Sequence, residues 1–170
     1  MMIIRQERPE DVAGIRHVNE QAFDGPAEAD LVDLLRTRGK VVLSLVAAQD
    51  DRIVGHILFS PVMIESDGKL DASAAGLAPM AVLPELQKQG VGSRLVKHGL
   101  EQCRKIGYQC VVVLGHADYY PRFGFLPASR YGLKCVYDVP DEVFMAIELR
   151  EGALAGRTGI VKYQPEFNEV

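Results

Sequence analysis

Residues 77–114 set the strongest limit on what this chain can fold into. An apolar run, Leu77-Ala78-Pro79-Met80-Ala81-Val82, leads into a short loop, and the loop leads into a helix that opens on Gly90-Val91-Gly92. That helix carries Leu95, Val96, Leu100, Cys103 and Ile106 on one side, and Gly107 stops it. The next run, Gln109-Cys110-Val111-Val112-Val113-Leu114, is apolar throughout, the type of strand buried on both faces of a parallel pair. Strand, glycine-rich loop, helix and strand make a βαβ unit with the loop at its mouth, where ligands bind beyond the C-terminal strand ends.

The loop carries a Gln-x-x-Gly-x-Gly pattern in Gln87-Lys88-Gln89-Gly90-Val91-Gly92. A helix start leaves about four N–H groups without intrahelical partners and carries the positive end of the helix dipole. Glycine lets that backbone approach a ligand closely, so the site suits a phosphate or pyrophosphate. Two familiar phosphate motifs fit badly. A P-loop needs Gly-Lys-Ser/Thr at its end, and here Ser93-Arg94 follows Gly92. A dinucleotide fingerprint needs a third glycine where this chain has Leu95.

At 170 residues, 48% apolar and 25% charged, the chain reads as one soluble domain over residues 1–170 with a core of its own. A net charge of −4 argues against general nucleic-acid or anionic-membrane binding. No apolar run approaches the ~20 residues of a membrane span, and the charged N-terminal segment does not read as a signal peptide, so a cytoplasmic location is expected. The 3 cysteines, Cys103, Cys110 and Cys135, lack metal-type spacing and read as buried free thiols. The 4 histidines are scattered, and no metal site is expected.

Outside the central unit, residues 2–6 predict a short strand. Arg8-Pro9-Glu10-Asp11 opens a first helix with Val12, Ile15, Val18 and Ala22 at helical spacing, broken by Asp24-Gly25-Pro26. Residues 27–38 predict a second helix that Gly39 ends. Residues 41–48 and 53–64 predict two strands, and Ser66-Asp67-Gly68-Lys69 a turn. Residues 70–76 are small and polar, with no firm assignment. Pro79 cannot donate to a strand ladder, so it marks an edge, a bulge or a break in pairing, or simply a strand end. Later strands are expected over residues 133–137, 143–149 and 159–163.

A second motif follows the apolar strand: Gly115-His116-Ala117-Asp118-Tyr119-Tyr120-Pro121-Arg122-Phe123-Gly124-Phe125. Together the two motifs resemble the paired signatures of the GNAT superfamily of N-acetyltransferases. These are Gln/Arg-x-x-Gly-x-Gly/Ala for the acetyl-CoA loop and Phe-Tyr-x-x-x-Gly-Phe after the next strand. The form Tyr-Tyr-Pro-Arg-Phe-Gly-Phe, with the tail Gly-Ile-Val-Lys-Tyr-Gln-Pro-Glu-Phe-Asn, is similar to a bacterial branch, the YhbS type.

The resemblance implies an α/β (α+β) fold with a mixed, mostly antiparallel twisted sheet of about seven strands, a splayed parallel pair and helices on both faces. The implied order is strand, two helices, three strands, helix, strand, helix and two strands. It implies acetyl-CoA as co-substrate, with Lys88, Gln89, Gly90, Val91, Gly92 and Ser93 on the pyrophosphate and Met80, Ala81 and Val82 on the pantetheine arm. Lys88 and Arg94 are candidates to pair with phosphates, or form a solvated basic rim. Tyr120 stands where the superfamily places its general acid; the plain reading is a packed aromatic. A lysine-like amine, pKa ~10.4, must lose a proton before it attacks.

Many members use a strand glutamate as that base, but residues 77–82 and 109–114 contain no carboxylate. His116 and Glu28 are the side-chain candidates, beside a water chain. Asp24, Glu28 and Asp30 also offer negative charge to a cationic acceptor, unless they form only a solvated face. The acceptor is a small-molecule or protein amine, with no nucleic acid or membrane partner and homodimerisation open. Three functions remain in view: an active N-acetyltransferase, a catalytically weak acyl-CoA-binding sensor, and an enzyme using another acyl group or an oxygen acceptor.

Overall fold

The computed structural model describes residues 1–170 and contains nine strands and three α-helices. The elements are β1 (Met2–Gln6), α1 (Val12–Phe23), α2 (Ala27–Thr37), β2 (Leu43–Gln49), β3 (Arg52–Ser66), β4 (Lys69–Val82), α3 (Val91–Ile106), β5 (Cys110–Leu114), β6 (Leu126–Pro127), β7 (Leu133–Cys135), β8 (Phe144–Glu148) and β9 (Gly159–Lys162). Short 3-10 turns separate several of them. No helix is long and apolar enough to cross a membrane.

Two compact units share the chain. The first comprises Met1–Ser60, Ala78–Gly99 and Pro165–Val170; the second comprises Pro61–Leu77 and Leu100–Gln164. The strands β3 and β4 and the helix α3 contribute residues to both.

In the first unit β1, β2 and the first part of β3 are antiparallel, with Met2↔Gln49 and Leu43↔Phe59 fixing the registers. A bulge between Ala47 and Ala48 shifts the β2–β3 register. Ile15 of α1 and Leu31, Val32 and Leu35 of α2 bury one apolar face against Val46 and Leu58. Burying side chains of this size contributes about 1.5–3 kcal/mol each. Phe167 of the C-terminal turn joins this cluster. The helix stops follow the sequence. Asp24 adopts φ 52 at the end of α1, and the Lys40 amide donates to Leu35 O at 2.8 Å past α2.

In the second unit β4 and β5 run parallel, from Ala74↔Cys110 to Leu77↔Val113. β5 and β8 are antiparallel, and β6 adds to β8. On the other side β9 pairs antiparallel with β3 and parallel with β7. Val62, Ile64, Cys110, Val112, Phe144, Ala146 and Val161 form the core. Two thiols, Cys103 and Cys110, are buried, and burial pushes each up to about 12; Cys135 is only half-buried, so the expectation of three buried thiols holds for two.

The structure differs from the sequence expectations in several places. The strands number nine rather than about seven; the sequence does not announce β6, two residues long, which is stabilised by its pairing with β8. Residues 70–76, left unassigned, form the first half of β4: small residues such as Ala74, Ala75 and Gly76 are required where neighbouring side chains press in. The helix implied after β5 is a four-residue 3-10 turn, Tyr120–Phe123, with Pro121 inside it and Gly124 at φ 103 closing it. The strand expected over residues 133–137 also ends early, at Cys135.

Buried polar groups tie the first unit together. His56 is fully buried on β3, and Asn19 of α1 places Nδ2 3.2 Å from its Nδ1 while also donating to Ile15 O at 3.0 Å. His56 Nδ1 therefore accepts, and Nε2 carries the proton and donates to Ser44 Oγ at 2.9 Å. The Ser44 hydroxyl donates to Glu7 Oε1 at 2.6 Å, and Arg36 grips Glu7 through Nε at 2.7 Å. Burial alone would raise the Glu7 carboxyl, but Arg36 and Ser44 outweigh it and hold it low. Burial pushes His56 down to about 4. An unfolded histidine near 6.5 takes up a proton that the folded one refuses, so stability is present above pH 6.5 and falls as pH drops toward 4. Urea unfolding between pH 7 and 4.5 should show a loss of roughly 1 kcal/mol per pH unit below 6.5. The His56→Gln variant should show a much flatter slope over that range; an equal slope would remove His56 as the cause.

Candidate active site

The glycine-rich loop lies in the first unit. At the end of β4, Ala81, Val82 and Leu83 are buried, and the Leu83 amide donates to Val54 O at 3.0 Å. Pro84–Leu86 makes a single 3-10 turn, with the Leu86 amide on Leu83 O at 2.9 Å. Both glutamines of the motif hold the loop itself. Gln87 Nε2 donates to Val82 O at 3.0 Å, and Gln89 Nε2 to Glu85 O at 3.2 Å. Their side chains are thus committed to loop carbonyls, which leaves the backbone as the loop's contribution to a ligand.

That backbone turns sharply. Lys88 has φ 63 and Gly90 φ 89, two left-handed residues with one between them. Alternation of this kind turns successive N–H groups toward one side, a concavity suited to an anion. The Arg94 amide closes the first helical turn onto Gly90 O at 3.1 Å. The amides before it belong to the set that a helix start cannot satisfy internally. A side chain added at Gly90 would meet no atom within 4 Å, so its face is open. Val91, Leu95 and Val96 are buried beneath and fix the helix start. Around the loop, Lys88 is exposed, Arg94 reaches Met2 O at 3.3 Å, and Arg52 pairs with Glu85 at 3.1 Å on the rim.

Met80 is half-buried and Pro79 buried on the last stretch of β4. The β4–β5 ladder ends at Leu77↔Val113, two residues before Pro79, which has no N–H to continue it. Also in the first unit, Glu28 stands half-buried in the first turn of α2 and forms no ion pair. Asp30 does not share that freedom, because Arg16 binds it at 2.7 Å. Asp24 is the left-handed residue that ends α1. Of the three acidic candidates, Glu28 keeps an uncommitted carboxylate on a helix.

The second unit holds Tyr120 and His116. His116 is exposed just past β5, and its carbonyl accepts the Tyr119 and Tyr120 amides at 3.1 and 3.3 Å. Its side chain and Tyr120 therefore share one tight turn. The Tyr120 ring is 6% exposed and boxed by aromatic edges, Tyr119 at 5.1 Å and Phe125 at 5.6 Å between centroids. Arg122 covers the Tyr119 ring at 4.7 Å. Burial raises the Tyr120 phenol well above its usual range, so it stays protonated wherever the protein is folded. Tyr120 is thus both a packed aromatic and a loaded donor.

Sequence reasoning did not single out Gly115 or Asp71. Gly115 touches the Tyr120 ring, and its only sequence signal is its place directly after an apolar strand. Asp71 is the one carboxylate on β4 or β5. Burial would raise it, but Ser73 and Arg157 outweigh that and hold it below the usual carboxylate range. It also precedes Ala74↔Cys110, whereas Tyr120 follows the far end of β5, so the two lie at opposite ends of the parallel pair. No group of three or more His, Cys, Asp or Glu is arranged to hold a metal.

Known proteins share this arrangement. Residues 12–125 match the model of the acetyltransferase (GNAT) family. The uncharacterized N-acetyltransferase YhbS of Escherichia coli is 38% identical over 168 residues, covering 98% of this chain and 99% of that protein. Its crystal structure in complex with CoA superposes with a TM-score of 0.93, covering 98% of this chain and 92% of the other. A GNAT family acetyltransferase from Brucella melitensis, in complex with acetyl-CoA, is 37% identical with a TM-score of 0.81 and 98% coverage of both chains. E. coli YjhQ, also an uncharacterized N-acetyltransferase, is 45% identical over 136 residues, 78% of this chain and 74% of that one. By the match of residues 12–125 and by its likeness to YhbS over nearly its whole length, this chain belongs to the GNAT family of acetyltransferases.

Proposed function

We propose that this protein is an acetyl-CoA-dependent N-acetyltransferase that acetylates a primary amine of a small molecule or protein by direct attack in a ternary complex. The observation that carries the reading is the left-handed turn at Lys88 and Gly90 opening a buried-based helix, an anion site of pyrophosphate type. The CoA and acetyl-CoA found in relatives 38% and 37% identical supply the matching ligand. In this reading the backbone of residues 88–93 holds the pyrophosphate, with Lys88 and Arg94 at its rim. The backbone of Met80, Ala81 and Val82 borders the pantetheine arm and donates to the thioester oxygen as charge develops there.

Holding amine and thioester together supplies much of the acceleration. The amine nitrogen forms the new N–C bond as the C–S bond breaks. Tyr120 donates its hydroxyl proton to the departing sulfur, and burial keeps that donor loaded. The amine's own proton goes to a base. Asp71 is committed to Arg157 and Ser73, so His116 and Glu28 are the side chains available for this role, with a water chain as the third route.

The first test is calorimetric titration with acetyl-CoA, desulfo-CoA and ATP. Micromolar binding selective for the CoA compounds is expected; equal binding of ATP would sink the cofactor assignment. Gly90→Asp places a negative side chain in the phosphate turn and should abolish that binding, and normal affinity would overturn the loop's role. Tyr120→Phe should lower kcat by one to a few powers of ten with acetyl-CoA affinity near wild type. Tight binding by a protein that releases no thiol with any amine would instead favour an acyl-CoA sensor. For the base, kcat/KM against pH in His116→Gln and Glu28→Gln should lose its rising limb in one variant only. Intact profiles in both would point to the water chain.

A further inference from the structure

The Tyr120 ring rests directly on the backbone of Gly115. A Cβ built on Gly115 would lie 2.6 Å from Tyr120 Cε2 and 3.1 Å from Cδ2, well inside the 3.4 Å at which ordinary contact begins. Gly115 is not among the residues with positive φ, so alanine suits its backbone and the only obstacle is the ring. The backbone there cannot retreat easily. Leu114 pairs with Phe144, and the Gly115 amide donates to Val143 O at 2.9 Å. The ring has little freedom either, with Tyr119 and the buried Phe125 set edge-on at 82° and 74°.

We propose that Gly115 is a positioning residue for the transfer reaction: its missing side chain sets where the Tyr120 ring, and hence its hydroxyl, lies. The inference rests on the reading of Tyr120 as the acid that protonates the leaving sulfur. A methyl at Gly115 forces the ring to move by about 0.8 Å to regain ordinary contact. Misplacement of about 1 Å at a reacting group costs up to about a hundredfold in rate. Gly115 itself touches neither substrate, so its effect passes through Tyr120 alone.

A double-mutant cycle tests this. Thiol release from acetyl-CoA is measured with hydroxylamine as the acceptor probe, a small nucleophile that is mostly neutral at pH 7 and needs no deprotonation before it attacks; its N–H proton is lost to solvent as the hydroxamate forms. Gly115→Ala should lower kcat about ten- to a hundredfold in the wild-type background, leave acetyl-CoA affinity within about twofold by calorimetry, and cause no further loss in Tyr120→Phe. Equal losses in both backgrounds, or no loss in wild type, would overturn the positioning role. An unchanged kcat in Tyr120→Phe alone would instead remove Tyr120 as the acid, a separate failure. If Gly115→Ala folds poorly, the same cycle is read as Tm against Tyr120→Leu, whose smaller side chain removes the contact. The alanine should then lower Tm in the wild type and have little effect beside leucine. An equal drop in both would show that the Tyr120 ring is not what Gly115 accommodates.

Discussion

The parallel pairing of β4 with β5 is the constraint from which the rest of the site follows. Two parallel strands cannot be joined by a tight turn, and the chain must cross back through a helix. Here α3 is that crossover, so its N-terminus necessarily follows the C-terminal end of β4. The ladder between the strands stops at Leu77↔Val113. The last residues of β4 then carry backbone groups that this ladder does not use, and the glycine turn comes directly after them. The open glycine turn at the start of α3 and the backbone segment that the β5 ladder leaves unused thus arise from one crossover connection.

Placement of charge follows a second rule, that buried ionisable groups must be paired or neutral. His56 stays neutral inside a chain of hydrogen bonds running from Asn19 through Ser44 to Glu7, which also accepts from Arg36. Asp71 is held by Arg157 and Ser73, Asp30 by Arg16, and Asp11 by Arg5. Several carboxylates are therefore tied up in ion pairs, which narrows the side chains left for proton transfer. The aromatic box around Tyr120 obeys the same logic: its walls are apolar, so the phenol inside is kept neutral and ready to donate.

Much of this was legible in the chain. The apolar period of 3.6 in residues 91–106, the unbroken Cys-Val-Val-Val-Leu run and the Gln-x-x-Gly-x-Gly loop each matched an element in place. The second motif announced Tyr120, and the absence of a strand carboxylate near the loop was visible at once. Less legible were the elements whose stability is borrowed. Residues 72–76 of β4 are Ala-Ser-Ala-Ala-Gly, whose own strand preference is weak; from Ala74 onward β5 pairs with them, and Val62 presses against Gly76. The two-residue β6 exists only because β8 lies beside it. Where the superfamily pattern led to a helix after β5, Pro121 and Gly124 allow one 3-10 turn, which tucks the Tyr120 ring inward.

The sequence by itself determined the family, the crossover unit and the glycine-rich loop that opens α3, because each is written in contiguous residues whose spacing and conformational preferences act locally. Tertiary structure alone decided which polar residues remain available for chemistry. Gln87 and Gln89 donate to carbonyls of their own loop, and Asp71 was claimed by an arginine 86 positions away. It also decided how the Tyr120 ring is held, since the contact between Gly115 and Tyr120 depends on a backbone fixed by Val143, in the 3-10 turn just before β8. Such partners are brought together by packing between distant segments, and no local pattern encodes a side chain's competitor for a hydrogen bond or the space left beside a ring.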